Sequence, residues 1–248
     1  MRKILLLLIL FVFLILSCRS INNTRDELGI AYNKVMFSFD DCPDEDTTPL
    51  LLDLLERYEI KALFCLLGVN AEQYQGLVKR IHDEGHVIIN HGYYDKHAYS
   101  MDEKEFTDNL LRGEKAISSA LGFAMNPKLY RPHGGYYKPM HERTLIGSGY
   151  SLISANIRVY DAVKTSKNRR QAANQIIKKV IKNSGGMIIL HDARGIYSRK
   201  EIELKKNPEG PFNRLWIVDV VDDVIVSLLD KGFILHHPDL LTAAGFGD

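Results

Sequence analysis

Apolar residues along this chain fall into two alternating patterns. Short unbroken runs lie at 35–39 (VMFSF), 61–68 (KALFCLLG), 86–90 (HVIIN) and 128–131 (KLYR), then at 150–154 (YSLIS), 187–190 (MIIL) and 233–235 (FIL). Runs of this length bounded by Gly, Asp, Asn or His read as buried strands. Between them, longer stretches repeat an apolar residue at i, i+3 and i+4, the spacing of one helical face. Leu50, Leu51, Leu54, Leu55 and Tyr58 form one such face, with Thr48 as a cap and Pro49 at the first helical position. Helices are predicted over 71–84 (Leu77, Val78 and Ile81, stopped by Gly85), about 102–121, 168–183 (Ile176, Ile177, Val180 and Ile181) and about 215–230. Residues 193–214 are charged and hold Pro208, Gly210 and Pro211, which reads as a surface insertion.

Strands alternating with helices predict parallel βαβ units in one α/β domain of about seven strands, with no internal repeat. An open doubly wound sheet and an irregular (β/α) barrel both fit that count. The chain's start changes the picture of where this domain works. Arg2 and Lys3 precede LLLLILFVFLIL, then Ser17 and Cys18. A basic start, an apolar run and a small residue before the cut make a secretory signal, and the run is short for a membrane span of about 20 residues. Ile15-Leu16-Ser17-Cys18 resembles a relaxed lipobox with Cys18 as the lipidated residue. The expected organisation is therefore a signal at 1–17, a tether at 18–33 and a domain at 34–241, on the outer side of a bacterial membrane or secreted. Charge adds one exclusion: 32 Lys and Arg against 31 Asp and Glu leave no basic surplus for nucleic acid. Cys42 and Cys65 are expected either as a disulfide between neighbouring strands or as two buried thiols.

The candidate chemistry stands at the ends of the strands. Asp40 and Asp41 follow the first run, and His91, Asp95 and His97 follow the third. Arg131, His133 and two glycines come after KLYR, Asn156 and Asp161 after YSLIS, and His191-Asp192 after MIIL. One such residue is an ordinary cap or a satisfied core group. In a parallel barrel, however, all carboxyl ends of strands open onto one face, where active sites form, and five polar ends favour the barrel. Asp and His are usual ligands for zinc and similar divalent ions. Such an ion polarises a carbonyl and acidifies water, a carboxylate can take a proton from that water, and a His can protonate a leaving group. The residue types thus point to metal-assisted hydrolysis of an amide or ester.

These residues, in FDDCPDEDTTPLLLDLLERYEIKALFCLLG at 39–68 and in NHGYYDKH, RPHGG and ILHD, resemble the polysaccharide deacetylases, the NodB-homology group or carbohydrate esterase family 4. The likeness runs from about 34 to 241. It implies an irregular (β/α) barrel, one divalent metal ion (zinc by its ligands) and removal of acetyl groups from an N- or O-acetylated glycan. For an envelope-tethered protein, peptidoglycan is the glycan at hand. It implies Asp40 as catalytic base, Asp41 and His91 as metal ligands, and Arg131 as the residue orienting the base. It also implies Asp161 tuning His191, His191 as general acid, and a backbone N–H near Gly134 for the oxyanion. Tyr136, beside the expected site, is a candidate sugar platform or a packing residue.

Three positions depart from the family pattern. Its second metal histidine falls four residues after the first, where this chain has Asp95; either Asp95 or His97 is then the third ligand. His133 stands where proline is usual, and Ala162 where tryptophan is frequent. Those departures leave open a glycan- or metal-binding lipoprotein with weak catalysis, or a deacylase for a small amide or ester.

Overall fold

The first apolar run folds as the longest strand and becomes the axis of the sheet. The structure is a computed structural model and describes residues 19–20 and 30–235. The expected signal at 1–17, the lipidation candidate Cys18, most of the tether and the last residues of the expected domain lie outside the described residues. In order, the elements are β1 (Arg19–Ser20), β2 (Lys34–Cys42), α1 (Thr47–Arg57), β3 (Leu63–Leu66), α2 (Gly68–Gln73), α3 (Gln75–Asp83) and β4 (Val87–Asn90). Then come α4 (Glu103–Leu121), β5 (Leu129–Tyr130), β6 (Tyr136–Tyr137), α5 (Pro139–Gly147), β7 (Ser151–Leu152) and β8 (Ile157–Arg158). The chain closes with α6 (Arg169–Asn183), β9 (Gly186–His191), α7 (Tyr197–Lys206), α8 (Trp216–Leu229) and β10 (Ile234–Leu235).

The sheet runs β7-β5-β4-β3-β2-β9-β8, every neighbouring pair parallel, and curls into a half-barrel. β10 pairs with the start of β2 at Lys34 and Val35, leaving that edge to β3 from Ser38 onward. Side chains alternate across β2, as a strand requires. Val35, Phe37 and Phe39 face outward into the cluster shared with Leu51, Leu55, Val221 and Ile225 of the helices. Met36 faces the curled interior with Leu63, Ile89, Leu129 and Ile189. Burial of each such large side chain stabilises the fold by about 1.5–3 kcal/mol, so the outer cluster is what fixes the curl. α4 shows the local logic: Asp102 caps it by accepting from the N–H of Glu105 at 2.8 Å, and Gly122 ends it at φ 87°.

The alternating α/β pattern and the barrel expectation hold. Several local expectations change. The helix expected over 71–84 is two, because Tyr74 leaves helical geometry (φ −119°, ψ 50°). Residues 193–214 are more than a surface insertion: they contain α7, and Arg214 is buried. β6 and β8 add strands of two residues each. β1 pairs antiparallel with β6, Arg19 opposite Tyr137 and Ser20 opposite Tyr136. Cys42 and Cys65 are buried free thiols. No helix among the described residues is long and apolar enough to cross a membrane.

Candidate active site

The carboxyl ends of β2, β4, β5, β8 and β9 open onto one cavity of about 530 Å³. In a regular strand Asp40 and Asp41 would point to opposite faces. Here the register of β2 against β3 shifts between Asp40 and Cys42, and Asp41 takes a left-handed conformation at φ 70°. This bulge brings both carboxylates to the same cavity. Left-handed backbone costs a non-glycine residue roughly 1–2 kcal/mol, and Asp tolerates it better than most.

Asp40 is held from behind by Arg131, which follows β5 and is fully buried. Arg131 Nη1 donates to Asp40 Oδ1 at 2.7 Å and to Ser38 Oγ at 2.8 Å. Burial alone would raise the Asp40 pKa, but the Arg131 charge, with His91 and His191, brings it down to about 2. Asp40 is therefore an ionised base at neutral pH, with a fixed orientation.

The metal-type donors converge in front of it. Asp41, His91 and His133 each offer one ligand atom, and these lie within 4.8 Å of one another. Asp41 Oδ1 is 3.7 Å from His91 Nε2 and 3.4 Å from His133 Nε2, and it is buried with no hydrogen-bond partner. A buried carboxylate oxygen left in this way needs a cation. Asp41 Oδ2 accepts from the N–H of Gly195 at 3.0 Å, so only Oδ1 is free to face the imidazoles. His91 Nδ1 lies 2.8 Å from the carbonyl of Arg131; donating there leaves its Nε2 lone pair toward Asp41. The donor set and the orphaned oxygen fit a divalent ion of the zinc type.

The sequence offers Asp95 or His97 as the third donor, and the fold brings His133 to that place. Asp95 Oδ1 sits 2.9 Å from His133 Nε2, and Asp95 Oδ2 is 3.3 Å from Arg199. Asp95 thus stands against His133, beside the convergent trio. Burial would lower the His133 pKa, yet Asp41 and Asp95 push it up to about 10. His97 packs on Gly134, where a Cβ would come within 1.9 Å of its Nδ1, and its ring centre is 5.2 Å from that of His133. His97 lines the cavity as a neighbour of the trio.

On β9, beside β2, His191 stands in register with Asp40, and Asp161 opens the turn after β8, which intervenes between YSLIS and Asp161. His191 Nδ1 is 3.0 Å from Asp161 Oδ1, and the His191 backbone N–H donates to Asp161 Oδ2 at 2.9 Å. Burial disfavours the imidazolium, but Asp161 overrides it and raises the His191 pKa to about 9. His191 is therefore a proton donor at neutral pH. Arg214, which the sequence gives no reason to single out, donates to Asp161 Oδ2 at 2.5 Å and to the His191 carbonyl at 3.0 Å. It keeps Asp161 ionised and in place.

Gly134, Tyr160, Ala162 and Val163 complete the nearer walls. Tyr136 is 42% exposed and lies outside the residues lining the cavity. Tyr93 and Tyr137 are buried packing residues, and Tyr94 lies beneath Arg112.

Comparison with known proteins gives four findings. The family model described as polysaccharide deacetylase matches residues 31–151. A peptidoglycan-N-acetylglucosamine deacetylase of Bacillus cereus is 31% identical over 81% of this chain, which spans 66% of that protein's length. A second one from the same organism is 30% identical over 69% of this chain and 78% of its own. The crystal structure of the Bc1960 peptidoglycan N-acetylglucosamine deacetylase superposes with a TM-score of 0.66 at 29% identity, covering 84% of this chain and 88% of that one.

Proposed function

The chain belongs to the polysaccharide deacetylase family, and from that premise we propose that it removes acetyl groups from an acetylated cell-envelope glycan with one divalent metal ion. The observation that carries this reading is the pairing of an ionised Asp40 with a protonated His191, in register on neighbouring strands, in the same cavity as the converging donors Asp41, His91 and His133. Those three residues are the proposed metal ligands. A divalent ion bound there would polarise the acetyl carbonyl and lower the pKa of water. Asp40, kept ionised by Arg131, takes the proton from the attacking water. The N–H near Gly134 supports the developing oxyanion. His191, oriented through Nδ1 by Asp161, donates its proton to the departing nitrogen or oxygen. General acid–base steps of this kind contribute about 10²–10⁴-fold each. An N-acetylated peptidoglycan sugar is the proposed substrate, since the relatives quoted act on peptidoglycan by name. The Cys18 lipid anchor is carried forward from the lipobox-like sequence alone.

The test is acetate release from N-acetylated glycans by the zinc-loaded protein, alongside two variants. Asp40→Asn is expected to lose turnover by at least about 10²-fold while retaining metal, and Asp41→Ala to lose the metal itself. A metal-loaded, folded protein that releases no acetate from N- or O-acetylated glycans would end the enzymatic reading.

A further inference from the structure

Two guanidinium groups behind the reacting carboxylates are paired, Arg131 with Asp40 and Arg214 with Asp161. Arg158, by contrast, ends β8 and lines the cavity with its Nε and Nη2 enclosed and without a hydrogen-bond partner. It lies in register with Ile189, which lines the cavity too, while its neighbour Ile157 packs into the outer core. The room it occupies comes from Gly135, where a Cβ would come within 2.5 Å of Arg158 Nη2. An enclosed donor left unpaired is destabilising, and more so on a charged group. Arginine cannot shed its proton to escape that cost. The side chain as a whole is only part-buried and lines the cavity, so a ligand there can bring the guanidinium the anionic partner it lacks.

Charge continues from this guanidinium toward the rim. Arg194 and Arg199 line the same cavity, and both lie over the Phe212 ring, at 5.0 and 5.4 Å from its centre. Arg199 is shared with Asp95, whereas Arg194 has only that stacking contact described. A planar guanidinium fork matches a carboxylate through two parallel hydrogen bonds. A positive track longer than one small anion argues for an acid carried on the sugar over free product acetate. We propose that the cavity selects an N-acetylated amino sugar bearing a carboxylate substituent, with Arg158 binding that carboxylate and Arg194 supporting it. This specificity rests on the deacetylase reading for turnover, and on Arg158 alone for binding.

The test therefore separates binding from turnover. Metal-loaded Asp40→Asn protein is titrated by calorimetry with a disaccharide containing N-acetylmuramic acid, whose side arm ends in a carboxylate, and with its neutral amide. The acid form is expected to bind at least about 10-fold more tightly, in line with a charge-assisted pair. Adding Arg158→Gln should collapse that ratio toward one, and Arg194→Gln should reduce it. Equal binding of acid and amide, or a ratio untouched by Arg158→Gln, overturns the proposal. So does displacement of the disaccharide by acetate at matching concentration, which would make the subsite a product pocket. If the acid form is preferred in binding yet unmutated protein releases no acetate, the deacetylase reading fails and the carboxylate subsite stands.

Discussion

At His133 one imidazole nitrogen faces two carboxylates, Asp95 at 2.9 Å and Asp41 at 3.4 Å. A cation is stabilised at that point by both acids; to ligate a metal through this nitrogen His133 would have to give up its proton and its bond to Asp95, whose carboxylate would then lie beside the ion. His133→Ala should therefore weaken zinc affinity by more than about 10-fold, while Asp95→Ala should cost less and His97→Ala least. The reciprocal pair Asp95→His with His133→Pro should regain much of the loss, read by calorimetry or competition with a chelator. Loss confined to His97→Ala would remove His133 from the ligand set. In the sequence, the strand-end positions already single out Asp40, Asp41, His91, Arg131, Asp161 and His191, and the fold gathers all of them. His133 is also among those strand-end residues, though marked only as standing where proline is usual; spacing after His91 directs attention to 95 and 97, and it is the pairing of β5 with β4 that brings His133 to the proposed trio.

Among the helices, α4 packs against the residues that flank His91. A Cβ on Gly113 would lie 2.9 Å from the carbonyl carbon of Gly92 and 2.5 Å from Asn90 Oδ1, and these two residues flank His91. Asn90 in turn donates to the Leu110 carbonyl at 2.9 Å and to Tyr150 Oη at 3.0 Å. Gly113→Ala should destabilise the fold by about 1–3 kcal/mol, the usual cost of overpacking, and should loosen metal binding by displacing His91. Urea unfolding and a zinc titration of the same variant check both parts; unchanged values in both would mean that the helix shifts freely. Helices α1, α4, α6 and α8 are legible because each buries a continuous apolar stripe against the sheet. β6 and β8 have two residues each and so no period to detect, and α7 forms in a charged segment whose apolar residues are sparse. The bulge at Asp41 is a register property of two strands and has no signature within one.

For the molecule as a whole, stability should carry the imprint of one buried acid that catalysis does not use. Asp192 is fully buried, accepts from Thr48 Oγ1 at 2.5 Å and has its pKa pushed up to about 7 by burial, near Asp44 and Asp41. The folded state keeps this proton where the unfolded chain, near the ordinary 3.8, has lost it. Asp192 therefore makes stability fall as pH rises from about 4 to about 7. Asp40, Asp41 and Asp161 have lowered values and act below that window, whereas His86, lowered to about 4, acts within it in the opposite sense and the raised His133 and His191 act from about 6.5 upward. Asp192→Asn should therefore raise the urea midpoint at pH 7.5 relative to that at pH 5, and an unchanged pH dependence would remove Asp192 from it. The alternation of strands and helices fits an open doubly wound sheet as well as a barrel; the barrel is legible in the polar residues at successive strand ends, which need one common face to open onto. The distribution of the three proposed ligands has a further bearing on which states of the chain can hold a metal. Two histidines one helical turn apart form a chelate that even a denatured chain can offer. Asp41, His91 and His133 belong to three distant stretches, so an unfolded chain must close long loops before it can present them together. Bound ion then discriminates almost wholly in favour of the native ensemble, and its full binding free energy is available as thermodynamic linkage to folding.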